Sequence, residues 1–289
     1  MWAGRIFRSV VALAIVLLLG ATVLAVRQAH ATELRNSAAV AHNEAVTARI
    51  DELVGGRYRN HIFNDVNVTH DVNYDGSHSL DVYTPAGDND QVRGALVWFH
   101  PGGFTEGDKS KEADLATDMA RRWYVVFVVD YTLTNYPWFD MDARIAAANV
   151  AHLEAQAAIM FVRAHATGYG IDPSLIFAGG YSAGAIITFD LNYGATTPAA
   201  KIDGGFAIAG YTNDIPQPGA APMLDFHGSN DLLIPNALGQ TACASAEHAG
   251  DQCTVKTFDG QGHEIGYSQR ATIEDQAAMF LASLIAAAN

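Results

Sequence analysis

Phe177-Ala178-Gly179-Gly180-Tyr181-Ser182-Ala183-Gly184 is the stretch that decides how this chain is read. Gly180-x-Ser182-x-Gly184 has the G-x-S-x-G form of a nucleophile elbow, in which a strand turns sharply into a helix and lifts a serine hydroxyl clear of the backbone. A serine on such a turn takes a strained conformation, and side chains two residues to either side would clash, so glycine is required there. The flanks agree. Ser174-Leu175-Ile176-Phe177 is a short apolar strand, and Ala185-Ile186-Ile187-Thr188-Phe189 begins a helix behind the serine. The chain has 26 glycines, so the pattern gains its meaning from partners elsewhere.

Outward from the elbow, near-continuous apolar runs recur: Ala95–Phe99, Tyr124–Val129, Leu175–Phe177, Phe206–Ala209 and Pro222–Phe226, with Cys253–Phe258 as the last strand. Runs of this kind mark parallel strands covered on both faces. Helical stretches separate them, at Lys111–Arg122, Met141–His165, Ala183–Leu191, Ala237–Ala249 and Gln269–Ala288. Strand–helix alternation predicts βαβ units and an α/β fold with a mostly parallel central sheet and helices on both faces. Upstream, Val66–Thr69 and Ser79–Tyr83 alternate around the turn Tyr74-Asp75-Gly76-Ser77, which predicts an antiparallel entry hairpin. One catalytic domain over 58–289 is the simplest organisation.

The first residues read differently. Arg5 and Arg8 precede an unbroken apolar run from Val10 to Val26, and Ala29-His30-Ala31 follows as an A-x-A pattern. This is the form of a secretory signal peptide over 1–31, with an uncleaved membrane anchor as the alternative; either puts the body of the protein outside the cytoplasm. Residues 32–57 read as a helix or linker, ending at Gly55-Gly56. In an exported chain, Cys243 and Cys253 are expected to form a disulfide. Asn67-Val68-Thr69 matches a glycosylation sequon. With 31 acidic and 17 basic residues the formal charge is −14, and there is no basic stripe, so nucleic acid is not an expected partner.

In open parallel sheets, ligands bind beyond the carboxyl ends of the strands. Four groups fall there. His100-Pro101-Gly102-Gly103-Phe104 follows Ala95–Phe99, and its Gly102 and Gly103 N–H groups, with that of Ala183, suit an oxyanion hole. Pro101 has no N–H and cannot be a donor, and His100 reads as a brace for the loop. Ser182 is the second group. The acid is Asp231, in His227-Gly228-Ser229-Asn230-Asp231, with Asp214 as runner-up; Asp225 is inside a strand and is expected to face a helix layer or a capping partner. The fourth is His263 in Gly260-Gln261-Gly262-His263-Glu264, after the last strand. His263 would take the proton from Ser182, and Asp231 would hold the imidazole in its working tautomer. There is no H-E-x-x-H and no G-x-x-x-x-G-K-[ST], so no metal and no organic cofactor are expected.

His100-Pro101-Gly102-Gly103-Phe104-Thr105-Glu106-Gly107-Asp108-Lys109-Ser110 resembles the HGGGW-x-x-GDKS loop of secreted bacterial carboxylesterases of the α/β-hydrolase superfamily, the subgroup related to feruloyl esterases and hormone-sensitive-lipase-like enzymes. Leu80-Asp81-Val82-Tyr83-x-Pro85, Tyr169-Gly170-Ile171-Asp172-Pro173, the elbow, and His227-Gly228-x-x-Asp231 fit the same pattern, as does the order Ser182, Asp231, His263. The likeness runs from about Asp65 to the C-terminus. Pro101 in place of a glycine, Tyr181 before the serine, and Thr132 after Tyr131 depart from it. The resemblance implies hydrolysis of a small-molecule ester through an acyl-enzyme. Leu191–Pro222 is too short for a large lid, which favours short- to medium-chain esters. A serine peptidase or amidase on the same fold and a non-catalytic binding protein are the competing readings. The sequence leaves the oligomeric state open, and makes the membrane a partner only if the first segment stays uncleaved.

Overall fold

A computed structural model describes residues 56–88, 92–137 and 140–288. The segments expected at 1–31 and 32–57 lie outside them, except for residues 56 and 57, which open a turn. Eight strands form one sheet: β1 (Val66–Asn73), β2 (Ser79–Pro85), β3 (Arg93–Phe99), β4 (Val125–Val129), β5 (Ile171–Tyr181), β6 (Gly204–Ile208), β7 (Met223–Gly228) and β8 (Cys253–Phe258). Their spatial order is β1-β2-β4-β3-β5-β6-β7-β8. The pairs β1–β2 and β2–β4 are antiparallel, and every later pair is parallel.

The strands differ as their positions require. Every residue of β3, β4, β6 and β7 is buried, because helices cover the interior of the sheet on both faces. The edge strands β1 and β8 are largely exposed and carry polar residues such as Asn67, Thr69, Thr254 and Lys256.

The main helices are α1 (Ala113–Arg121), α2 (Met141–Ala164), α3 (Ala183–Tyr193), α4 (Asn236–Ala249) and α5 (Arg270–Ala288). Asp140 caps α2, its Oδ1 accepting the Ala143 N–H at 3.0 Å. Ala147, Ala151, Ala155 and Ala158 form a stripe of small buried side chains along α2, which packs against α3. By length and composition α2 and α5 could each cross a membrane, but both bury one side inside the fold: α2 against α3 and β5, α5 against β6, β7 and α1. Helix α4 ends at Gly250, whose left-handed conformation (φ 94°) favours glycine. The Cys243–Cys253 disulfide ties α4 to the first residue of β8, with Cα atoms 4.9 Å apart.

Candidate active site

The reactive groups collect where β3, β5, β7 and β8 end. Phe99, the last residue of β3, pairs with Gly180 of β5, so the loops leaving these two strands start side by side. A Cβ on Gly184 would strike the Phe99 carbonyl oxygen, and one on Gly180 would strike the Gly184 backbone. Only glycine permits this approach. Between them Ser182 sits at φ 56°, ψ −113°, a strained conformation for a residue with a side chain. Its N–H donates to the Ile208 carbonyl at 2.9 Å and its carbonyl accepts from the Ile186 N–H at 3.0 Å, which locks the turn from both sides. The hydroxyl caps no helix N–H and is left for other work.

That hydroxyl lies 2.9 Å from His263 Nε2, and His263 Nδ1 lies 2.7 Å from Asp231 Oδ2. Asp231 is fixed by its own turn, its Oδ1 accepting the N–H groups of Leu233 and Ile234, each at 2.9 Å. The acid and histidine loops are stitched directly together. Ser229 N–H donates to the Phe258 carbonyl (3.0 Å), Asn230 N–H to the Gln261 carbonyl (2.8 Å), and Gly260 N–H to Ser229 Oγ (2.8 Å). Gly228 makes this possible, since a Cβ there would meet the Gly262 carbonyl oxygen and lie 2.5 Å from that of Gln261. Asp214, the runner-up acid, lies instead beside Gly194 and His152.

The loop after β3 is braced on all sides. His100 is buried and stacks on Tyr131, with ring centroids 4.3 Å apart. It donates from Nδ1 to the Pro101 carbonyl at 2.7 Å, and burial pulls its imidazole below the ordinary histidine range, so it is a neutral prop. Tyr131 OH donates to the His100 carbonyl at 2.7 Å, and Tyr136 OH to that of Gly103. Downstream, Lys109 clamps the loop to the end of β4, its N–H and Nζ reaching Asp130 at 2.7 and 2.9 Å and its Nζ reaching Asp71 at 2.9 Å. Gly102 at φ 132° has no room for a Cβ beneath the Glu106 carbonyl. Among the described residues, the N–H groups of Gly102, Gly103 and Ala183 donate to nothing, and so are available to a developing negative oxygen.

Some contacts gave no signal in the sequence reading. Tyr181 OH donates to the His263 carbonyl at 2.7 Å across 82 residues of chain, holding the histidine loop to the end of β5. Asp225 lies under Gly239 of α4, as a residue facing a helix layer would, and its carboxylate meets His227 and the Gly210 N–H. A pocket of ≈ 160 Å³ adjoins the loop after β3, with Phe104, Ile186 and Tyr211 beside Arg144, Asp190 and Asp214. Burial pushes the Asp190 carboxyl up to about 7, against the Thr212 hydroxyl that donates to it at 2.7 Å. No cluster of three or more His, Cys, Asp or Glu side chains suited to a metal occurs among the described residues.

The family described as BD-FAE matches residues 80–235, more than half of the chain. Rat liver carboxylesterase B-1 is 28% identical over 56% of this chain and 30% of its own length, and rabbit liver carboxylesterase 1 is 32% identical over 36% and 19%. The chain thus spans under a third of the length of these relatives. Among solved structures, Thermogutta terrifontis esterase 2 phosphorylated by paraoxon superposes with a TM-score of 0.61 at 21% identity, covering 76% of this chain and 92% of that one. The same esterase with propionate bound gives 0.61 at 20% identity, covering 77% and 93%. These two likenesses establish the fold.

Proposed function

The chain belongs to the BD-FAE family, and from that premise we propose that it is a serine carboxylic-ester hydrolase working through an acyl-enzyme. The observation that carries the reading is the unbroken hydrogen-bonded line from Ser182 Oγ through His263 to Asp231, with three N–H groups of the adjoining loops that donate to nothing among the described residues.

His263 Nε2 takes the Ser182 proton as Oγ attacks the ester carbonyl carbon. The new O–C bond forms as the carbonyl π pair moves onto oxygen, where the N–H groups of Gly102, Gly103 and Ala183 stabilise the charge. Single donors of this kind are worth about 3–4 kcal/mol. The tetrahedral species collapses, the ester C–O bond breaks, and His263 returns its proton to the departing alcohol. Water then repeats the sequence on the acyl-enzyme, releasing the carboxylic acid and restoring Ser182. Throughout, Asp231 holds the Nδ1 proton and stabilises the imidazolium.

The small pocket beside Ile186, one helical turn from Ser182, supports short- to medium-chain esters as substrates. The disulfide and the apolar run from Val10 to Val26 support a location outside the cytoplasm for the folded domain over 58–289.

A fluorophosphonate probe tests the chemistry: the native protein is labelled and Ser182→Ala is not. Labelling that survives the substitution, or is missing from both, ends this reading. A p-nitrophenyl ester series tests the substrate range, with highest kcat/KM expected at short or medium chains; a maximum at long chains contradicts it.

A further inference from the structure

Behind Asp231 lies a second aspartate–histidine pair that no step of this reaction uses. Asp225 and His227 are two residues apart on β7, so their side chains share one face of the strand, and both are fully buried. His227 Nδ1 is 2.8 Å from Asp225 Oδ2, and Nε2 donates to the Ile234 carbonyl at 2.8 Å. A carbonyl only accepts, so the Nε2 proton is fixed. A second proton is held between Nδ1 and the carboxylate. Asp225 Oδ1 takes the Gly210 N–H at 3.1 Å. Gly239 of α4 closes over the pair so tightly that a Cβ there would lie 2.5 Å from Asp225 Oδ2 and 2.9 Å from His227 Nδ1.

The protonated edge of this pair faces the proposed site. His227 Nε2 is 3.7 Å from Asp231 Oδ2. Ile234 is gripped from both directions, its N–H by Asp231 Oδ1 at 2.9 Å and its carbonyl by His227. We propose that His227, kept doubly protonated by Asp225, is the positioning residue for Asp231, fixing the acid loop through Ile234 and keeping the Asp231 carboxylate aimed at His263. The proposal rests on the reading of Ser182, Asp231 and His263 as the reacting groups. Burial by itself would lower the His227 imidazole; the hydrogen bond and charge of Asp225 outweigh it and hold it above the ordinary histidine range. Few other charges bear on the pair. α4 faces it with Gly239, and its Glu247 and His248 lie two turns further along the helix. On the far side of Asp231, Tyr181 and Glu264 flank His263.

Two variants separate positioning from bulk structure. Asp225→Asn keeps an acceptor for Nδ1 but removes the charge that holds the second proton. His227→Gln keeps a donor for Ile234 but removes the cation. Each is expected to lower kcat about 10- to 100-fold, the scale of a reactive group displaced by about 1 Å, with KM little changed. Each also strips positive charge from beside Asp231. The His263 imidazolium is thereby favoured, and the acid limb of the kcat/KM–pH profile moves to higher pH. Native-like kcat with an unmoved acid limb overturns the proposal. Should either variant fail to fold, nitrogen-15 NMR of the native protein decides. An imidazolium pattern for His227 that persists from about pH 6 to 9 supports the proposal, and a neutral tautomer overturns it. Neither readout depends on fluorophosphonate labelling, so failure here and failure of the esterase reading are distinguishable.

Discussion

Two aspartate–histidine pairs start from the end of β7, one at 225 and 227, the other joining 231 to 263, and their surroundings make them opposites. In the first, both ring nitrogens face fixed acceptors in the sealed interior, so its protons have nowhere to go. In the second, the histidine side chain keeps 13% of its exposure and its Nε2 faces a serine hydroxyl, a group that can both give and take a proton. Residue type is the same in each. What differs is the partner at the second nitrogen: a backbone carbonyl makes a strut, and a hydroxyl makes a base.

The widest test of that contrast is activity. Ser182→Ala or His263→Ala is expected to lower kcat by about 10⁶, and Asp231→Asn by about 10⁴, as in other serine hydrolases. Asp225→Asn should fall far short of that. Steady-state kinetics on one p-nitrophenyl ester ranks them, and equal losses for the two asparagine variants would erase the distinction between strut and base.

A methyl group applied to each pair sharpens it. Gly228→Ala wedges the acid loop away from the Gln261 and Gly262 carbonyls, on the open pair. Gly239→Ala presses α4 onto Asp225, His227 and the Gly210 carbonyl. The first should cost about 10²-fold in kcat with a modest change in Tm. The second should cost about 1–3 kcal/mol of stability, the usual range for overpacking, with a smaller loss of kcat. Thermal melts and kinetics on both variants read the two effects separately, and the reverse pattern would misplace both pairs.

The elbow was open to sequence reading because contact dictates it: Gly180 and Gly184 have no alternative, and the strands ending at Val129 and Ile208 are apolar throughout because both faces are covered. Helix limits fell within about two residues, since Asp140 and Gly250 announce their caps locally. The start of β5 did not. It begins at Ile171, three residues before the Ser174 start read from the sequence, because an irregularity in its pairing between Arg93 and Ala95 absorbs the intervening residues, which include Asp172 and Pro173. His227 did leave a signal, two residues from Asp225 on one strand face, but its other partner, the Ile234 carbonyl, depends on how the acid loop folds back. Tyr181 left none, because its partner is a backbone carbonyl, and any residue at position 263 would present one.

The disulfide carries the contrast to the scaffold. It ties α4, the helix that seals the buried pair, to β8, which leads to the histidine loop. The linked residues are separated by 10 positions, and a closed loop of that size contributes about 2–3 kcal/mol by restricting the unfolded chain. Cys243→Ser with Cys253→Ser should lower Tm accordingly while kcat at 25 °C stays close to native. A large loss of kcat with Tm unmoved would mean that the bridge aligns the open pair directly.

The smallest effect shows what a buried carboxyl does without an imidazole beside it. Asp190 has the Thr212 hydroxyl as its hydrogen-bond donor, and burial pushes it up to about 7, whereas an aspartate in the unfolded chain titrates near about 3.9. The folded protein therefore keeps a proton that the unfolded chain has lost. Its contribution to stability is fully present below about pH 4 and is lost as pH rises through about 7. Asp190→Asn still accepts the Thr212 hydrogen bond and has no proton to lose. Between about pH 4 and 8 the native Tm should fall more steeply than that of the variant, with the gap widest at the alkaline end. Asp225 shares the burial, which also pushes its carboxyl up, but has His227 and the Gly210 N–H as donors working against that rise. Parallel Tm–pH slopes for Asp190→Asn and the native protein would show that Asp190 is solvated, and that burial without a cation does not separate this carboxyl from the one His227 holds.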